Sequence, residues 1–174
     1  LAEILTQLPG PSVRSISTVA GGFQPHPLTD SRGALFSTQF ASVARGLADL
    51  ESRTGVRVNL ALEPEPWTSI ETTPQSIDFF ERWVWPSSPL AQRYIGLCYD
   101  TCHQAVAFED PKESWSSLRR AGVPIFKVQI SNALHLAHPM DDESRRVLMG
   151  FNEPRYLHQV TALTPEGTLL RAVD

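Results

Sequence analysis

Cysteine and methionine are scarce in this sequence, with two of each among 174 residues. Cys98 and Cys102 are too few and too close for a disulfide framework, so a reduced, cytoplasmic setting is expected. No apolar run approaches the ~20 residues of a bilayer-spanning helix, and no basic leader precedes an apolar stretch, so membrane insertion is not expected. Positive charge is short as well: 15 Lys and Arg stand against 19 Asp and Glu, a formal net charge of −4 at pH 7. That balance offers no footprint for nucleic acid or an anionic membrane surface. A Gly-rich phosphate loop, a dinucleotide fingerprint, HExxH and GxSxG are all missing, which removes the simplest nucleotide-binding, zinc-protease and serine-hydrolase readings.

What is present is core material. Hydrophobic residues make up 41% of the chain, with four Trp and eight Phe, enough for a packed domain. Leu1 to Leu5 reads as the end of an amphipathic helix closed by Pro9-Gly10-Pro11, and the last residues stop inside a strand-like segment. The chain therefore reads as a piece of something longer.

Val13 to Val19 forms a short strand, and residues 23–33 read as a loop. Phe36, Phe40, Val43, Leu47 and Leu50 recur at three- and four-residue spacings, which predicts a helix over 34–54 ended by Gly55. Val56 to Glu63 is a strand covered on both faces, followed by a helix entered at Thr73-Pro74 with Thr73 as its cap. Tyr94 to Tyr99 is a third strand running into Asp100-Thr101-Cys102-His103, then a loop to residue 111. Residues 112–121 form a helix, and Val123 to Ile130 a fourth strand. Strands alternating with helices at this spacing predict a parallel sheet with crossover helices. One or two helical turns are expected over 144–149, and an antiparallel hairpin over 156–173 turning at 164–167.

Chemistry-bearing residues fall at the carboxyl ends of these strands, where ligand sites of parallel sheets collect: Glu63, then Asp100 and His103, then Gln129 and Asn132. Glu63 and Asp100 supply hard oxygen ligands and His103 an imidazole, together able to hold Mn²⁺, Mg²⁺, Fe²⁺ or Zn²⁺ beside a small polar metabolite. Glu63 and His103 are the catalytic candidates, Glu63 as a mover of protons next to a polarised carbonyl. The competing reading gives Glu63 an Arg partner or a helix to cap, Asp100 a turn to cap, and His103 a packed position. Glu71, Trp67, Lys127 and Gln129 are candidate lining residues of the substrate pocket. Glu71 equally serves a helix amino end, Trp67 packs under a loop, and Lys127 snorkels. Glu65 is second to Glu63 or solvated. Cys98 reads as a small core residue, and a Cys102 nucleophile beside His103 is disfavoured because neighbours along a strand point apart. His26, His135, His138 and His158 lie in loops or the hairpin.

Leu60-Ala61-Leu62-Glu63-Pro64-Glu65-Pro66, with Gly96-Leu97-Cys98-Tyr99-Asp100-Thr101-Cys102-His103, resembles the xylose isomerase-like TIM-barrel superfamily of sugar isomerases and epimerases. Ser15 to Val19, the same Leu60 to Pro66 block, Glu71-Thr72-Thr73, the block from Cys98 to Phe108-Glu109-Asp110-Pro111 and Lys127-Val128-Gln129 are similar to the EboE-like metabolite traffic proteins within it.

The resemblance implies an α/β fold, an incomplete (β/α)8 TIM barrel holding approximately the fourth to seventh strands with a hairpin insertion. A complete barrel takes about 250 residues. It further implies that Glu63 is a metal ligand and one of two acid–base carboxylates, Asp100 a second ligand, and His103 a contact to substrate oxygen. The epimerase pattern expects a histidine ligand on the seventh strand, where this chain has Gln129, and a second carboxylate on the eighth, which is missing; Glu153 is not assigned to that place. The implied activity is metal-assisted isomerase-like chemistry on a hydroxylated metabolite precursor, tied to its processing or export. The alternatives are a noncatalytic metabolite-binding barrel and a metal-dependent phosphodiesterase.

Overall fold

A computed structural model describes residues 1–23, 28–155 and 158–173. His26 and the start of the expected hairpin at residues 156–157 lie outside them. The chain runs α1 (Ala2–Gln7), β1 (Val13–Val19), α2 (Asp30–Thr54), β2 (Arg57–Glu63), α3 (Thr73–Phe79), α4 (Ala91–Tyr94), β3 (Ile95–Asp100) and α5 (Thr101–Val106). It continues through α6 (Pro111–Ala121), β4 (Ile125–Gln129), α7 (Asp142–Met149), β5 (Gln159–Leu163) and β6 (Leu169–Val173). Strands β1 to β4 pair in parallel and in chain order, while β5 and β6 form a separate antiparallel pair. The fold is a partial (β/α) barrel: a parallel half-barrel sheet with helices outside and a C-terminal antiparallel hairpin.

Helix α2 begins earlier than the apolar spacing predicts and buries Phe40, Ala44, Leu47 and Leu50. Val43 is 37% exposed, and Ala44 takes its place against the sheet because small residues allow close helix approach. Phe36, Phe40 and Phe79 pack ring to ring where α2 meets α3. These rings, with Leu60, Leu62 and Leu97 from the outer sheet face, make the core between sheet and helices.

Two local expectations are corrected, the cap of α3 and the loop after β3. The cap of α3 is Thr72, one residue before Thr73: its hydroxyl accepts from the Gln75 amide while the Gln75 side chain reaches back, and Pro74 sits inside the first turn. Past Phe79 that helix widens into a π-turn over Phe80–Val84 and closes in a 3₁₀ turn over Trp85–Ser87 that contains Pro86. The segment after β3 is helical from Thr101 at once, because the Asp100 carboxylate accepts the Cys102 and His103 amide hydrogens.

Position on the sheet decides which side chains face the barrel interior. Asn59 and Ala61 share the face of Glu63, whereas Val58, Leu60 and Leu62 face the helices. On β4 this parity is broken by a bulge: Leu97 pairs with Ile125 but Cys98 pairs with Lys127, so Phe126 is an extra residue. Ile125 packs outward against the core, and after the bulge Lys127 and Gln129 turn inward.

Candidate active site at the carboxyl edge of the sheet

The inward residues stack in tiers. In the uppermost, Gln129 Nε2 donates to Glu63 Oε1 at 2.7 Å and to Asp100 Oδ2 at 2.6 Å, tying three strands together. Beneath it, Lys127 Nζ donates to Ser17 Oγ at 2.7 Å across the curled sheet, beside buried Cys98. The expected meeting of Glu63, Asp100 and Gln129 is thus present, and Lys127 points into the barrel.

His103, carried on α5, completes the cluster. Its Nδ1 lies 2.9 Å from the Pro64 carbonyl and 3.7 Å from Glu63 Oε1. A carbonyl can only accept, so Nδ1 carries a proton and donates it to Pro64. Because Asp100 starts a helix, Cys102 also turns inward, and the donor atoms of Asp100, Cys102 and His103 lie within 4.8 Å of one another. This is a candidate metal-ligand cluster, with Glu63 beside it. The Cys102 thiol is held above its ordinary range, first by burial and also by the Asp100 charge, so the oxygen and imidazole donors are the better ligands at neutral pH. Burial likewise pushes the Cys98 thiol up to about 11, in keeping with a core residue.

Asp100 is the most heavily bonded group of the site. Burial favours its neutral form, yet hydrogen bonds from the side chains of Ser131, Cys102 and Gln129 outweigh this and hold its carboxyl well below the usual range. A carboxyl depressed on folding stabilises the protein above its unfolded value, about 3.9, and loses that contribution as pH falls toward its folded value. In urea titrations the parent should therefore lose stability steeply below about pH 4, and Asp100→Asn should flatten that slope while costing about 1–3 kcal/mol at pH 7. Equal slopes for the two proteins would remove Asp100 from this role.

One contributor escapes the sequence reading. Ser131 follows β4, donates to Asp100 and exchanges hydrogen bonds with Thr101, so it fixes the start of α5; its place two residues past Gln129 at the same sheet edge was the available signal. Glu65 is half-buried rather than solvated, and burial, with the nearby Glu63 and Asp100 charges, raises its carboxyl against the opposing pull of His103. Asn132, His135 and His138 are exposed.

Glu71 and Trp67 lie on the rim, and both are engaged by the hairpin. Arg171 of β6 pairs with Glu71 and lies over the Trp67 ring, 4.3 Å from its centroid. Gln159 Nε2 donates to the Pro66 carbonyl at 2.9 Å, and the Thr161 hydroxyl to that of Val106. Trp67 adopts φ 62°, a conformation costly for a bulky residue, and its stacking against Arg171 helps hold it there. Arg171→Ala should cost about 1–2 kcal/mol and change the Trp fluorescence of the folded protein. An unchanged urea midpoint and spectrum would show that the hairpin is not fastened there.

No protein-family model and no curated protein matches the chain. Among solved structures, it is similar to the IOLI protein with a bound zinc atom, at 16% identity and a TM-score of 0.41 over 66% of this chain and 36% of that one. It is also similar to the apo form of the 3-keto-D-glucoside 4-epimerase YcjR from E. coli, at 12% identity and a TM-score of 0.44 over 85% of this chain. The chain spans 36% and 66% of the length of these two proteins.

Clefts lined by described residues include one between α3 and α6 beside Ile77 and Glu113 and another beside Tyr99, Trp115 and Val128, and neither of these is lined by Glu63 or Asp100. No helix among the described residues is long and apolar enough to cross a membrane.

Proposed function

We propose that the chain carries the metal-holding, proton-moving edge of an isomerase- or epimerase-like protein that acts on a small hydroxylated or sugar-like metabolite. The observation that supports this reading is the junction of Glu63, Asp100 and Gln129 beside His103 at the carboxyl ends of β2, β3 and β4. The donor set, two carboxylates and an imidazole, fits a divalent ion such as Mn²⁺, Mg²⁺, Fe²⁺ or Zn²⁺. Glu63 and Asp100 would hold it. When bound, such an ion polarises a carbonyl and acidifies the neighbouring C–H.

In this reading Glu63 takes and returns the proton at that carbon, and His103 orients a substrate oxygen. Lys127 and Gln129 line the floor of the pocket, and Trp67 and Glu71 its rim. The finer assignment, to the EboE-like metabolite traffic proteins and a cytoplasmic role in precursor processing or export, rests on the sequence blocks around Glu63, Asp100 and Lys127. A noncatalytic metabolite-binding barrel is the second reading, and Gln129, a neutral side chain between the two carboxylates, is the feature that favours it.

Titration of the full-length protein with Mn²⁺, followed by NMR of a sugar panel in D₂O, separates the two. Metal uptake together with exchange of a C–H next to a carbonyl supports the enzyme. Saturable sugar binding without exchange supports the binding barrel, and neither uptake nor exchange ends the isomerase reading.

A further inference from the structure

Gln129 is placed where its amide must choose between two roles. Its terminal group lies against two carboxylates that can only accept, so the nitrogen faces Glu63 and Asp100 and the carbonyl oxygen faces away. A single NH₂ group spends both hydrogens on this bridge, and its partial positive charge offsets the repulsion between the two acids. The bulge at Phe126 aims the side chain there, and Ser131 anchors the next stretch of chain to Asp100 and Thr101, so the backbone of this end of β4 is tied down and the amide is held through its NH₂ group.

We propose that Gln129 is the metal-responsive element of the centre: its NH₂ clasps Glu63 and Asp100 in the cation-free protein, and its amide turns to present Oε1 when a divalent cation takes over the two carboxylates. This rests on the metal reading given above and specifies how that site is regulated. The side chain neutralises the acids in one state and supplies a third oxygen in the other. An oxygen-rich set of this kind suits hard cations such as Mg²⁺ and Mn²⁺ over a thiolate-seeking ion.

The test uses the full-length protein, with Mn²⁺ affinity by calorimetry, cation-free melting temperature, and the side-chain amide signals of ¹⁵N-labelled protein during Mg²⁺ titration. In the parent, one Gln NH₂ pair should move on Mg²⁺ addition and be missing from Gln129→Met. That variant, close in length and lacking an oxygen donor, should melt lower without cation and bind Mn²⁺ roughly tenfold or more weakly. Gln129→Glu should also melt lower without cation, yet bind Mn²⁺ more tightly than the parent and regain its melting temperature when loaded. A Gln129→Met protein that binds as the parent does, or Gln129 amide signals unmoved by saturating Mg²⁺, overturns the proposal alone. A parent that takes up neither ion defeats the metal reading, and this proposal with it.

Discussion

Glu63→Gln should lower turnover of the full-length protein roughly 10²–10⁴-fold, the usual contribution of a positioned acid–base group, while leaving its urea midpoint nearly unchanged. The two effects separate because glutamine preserves what holds residue 63 in place. Its amide oxygen can still accept from Gln129, and it occupies the same volume at the end of β2. What it lacks is the charge and the ability to carry a proton. The natural comparison is Glu65→Gln, since Glu65 shares the electrostatic neighbourhood without bonding to Gln129. Turnover in Glu63→Gln within twofold of the parent, at full metal occupancy, would exclude Glu63 from proton transfer.

Local signals in the sequence carry most of the architecture. Apolar spacing places α2, branched runs place the four parallel strands, and the order of elements brings Glu63, Asp100 and Gln129 to one edge before any contact is known. Helix α5 is hidden because its opening Thr-Cys-His has little intrinsic helical preference and six residues cannot nucleate alone. It forms because Asp100 and Ser131 cap it, and Ser131 arrives from about 30 residues downstream, a relation no window can contain. This is also why Cys102 and His103 converge although neighbours along a strand would diverge. The pairing of Glu71 with Arg171 is likewise invisible locally, since the hairpin returns across 100 residues to make it. The bulge at Phe126 had one local clue, a glycine inside a strand, which marks a close backbone approach.

That glycine carries the largest structural prediction. A Cβ on Gly96 would sit 2.5 Å from Phe126 Cδ2 and 2.5 Å from the Pro124 carbonyl oxygen. The ring could swing away, but the carbonyl is held because it accepts the Leu97 amide hydrogen at 2.7 Å. Gly96→Ala should therefore cost about 1–3 kcal/mol, the range for overpacking, and the branched Gly96→Val still more, enough to prevent accumulation of folded protein. The damage should reach the site as well as the core. With Phe126 displaced the extra residue of β4 has no place, and the inward facing of Lys127 and Gln129 depends on that residue. In Mn²⁺ titrations Gly96→Ala should thus bind the ion more weakly even at temperatures where it remains folded. Adding Phe126→Ala relieves only the clash with the ring, so the double variant should recover part of the stability and none of the orientation of Gln129. Wild-type stability and Mn²⁺ affinity in Gly96→Ala would mean that the strand reaches Gln129 by another path than the bulge.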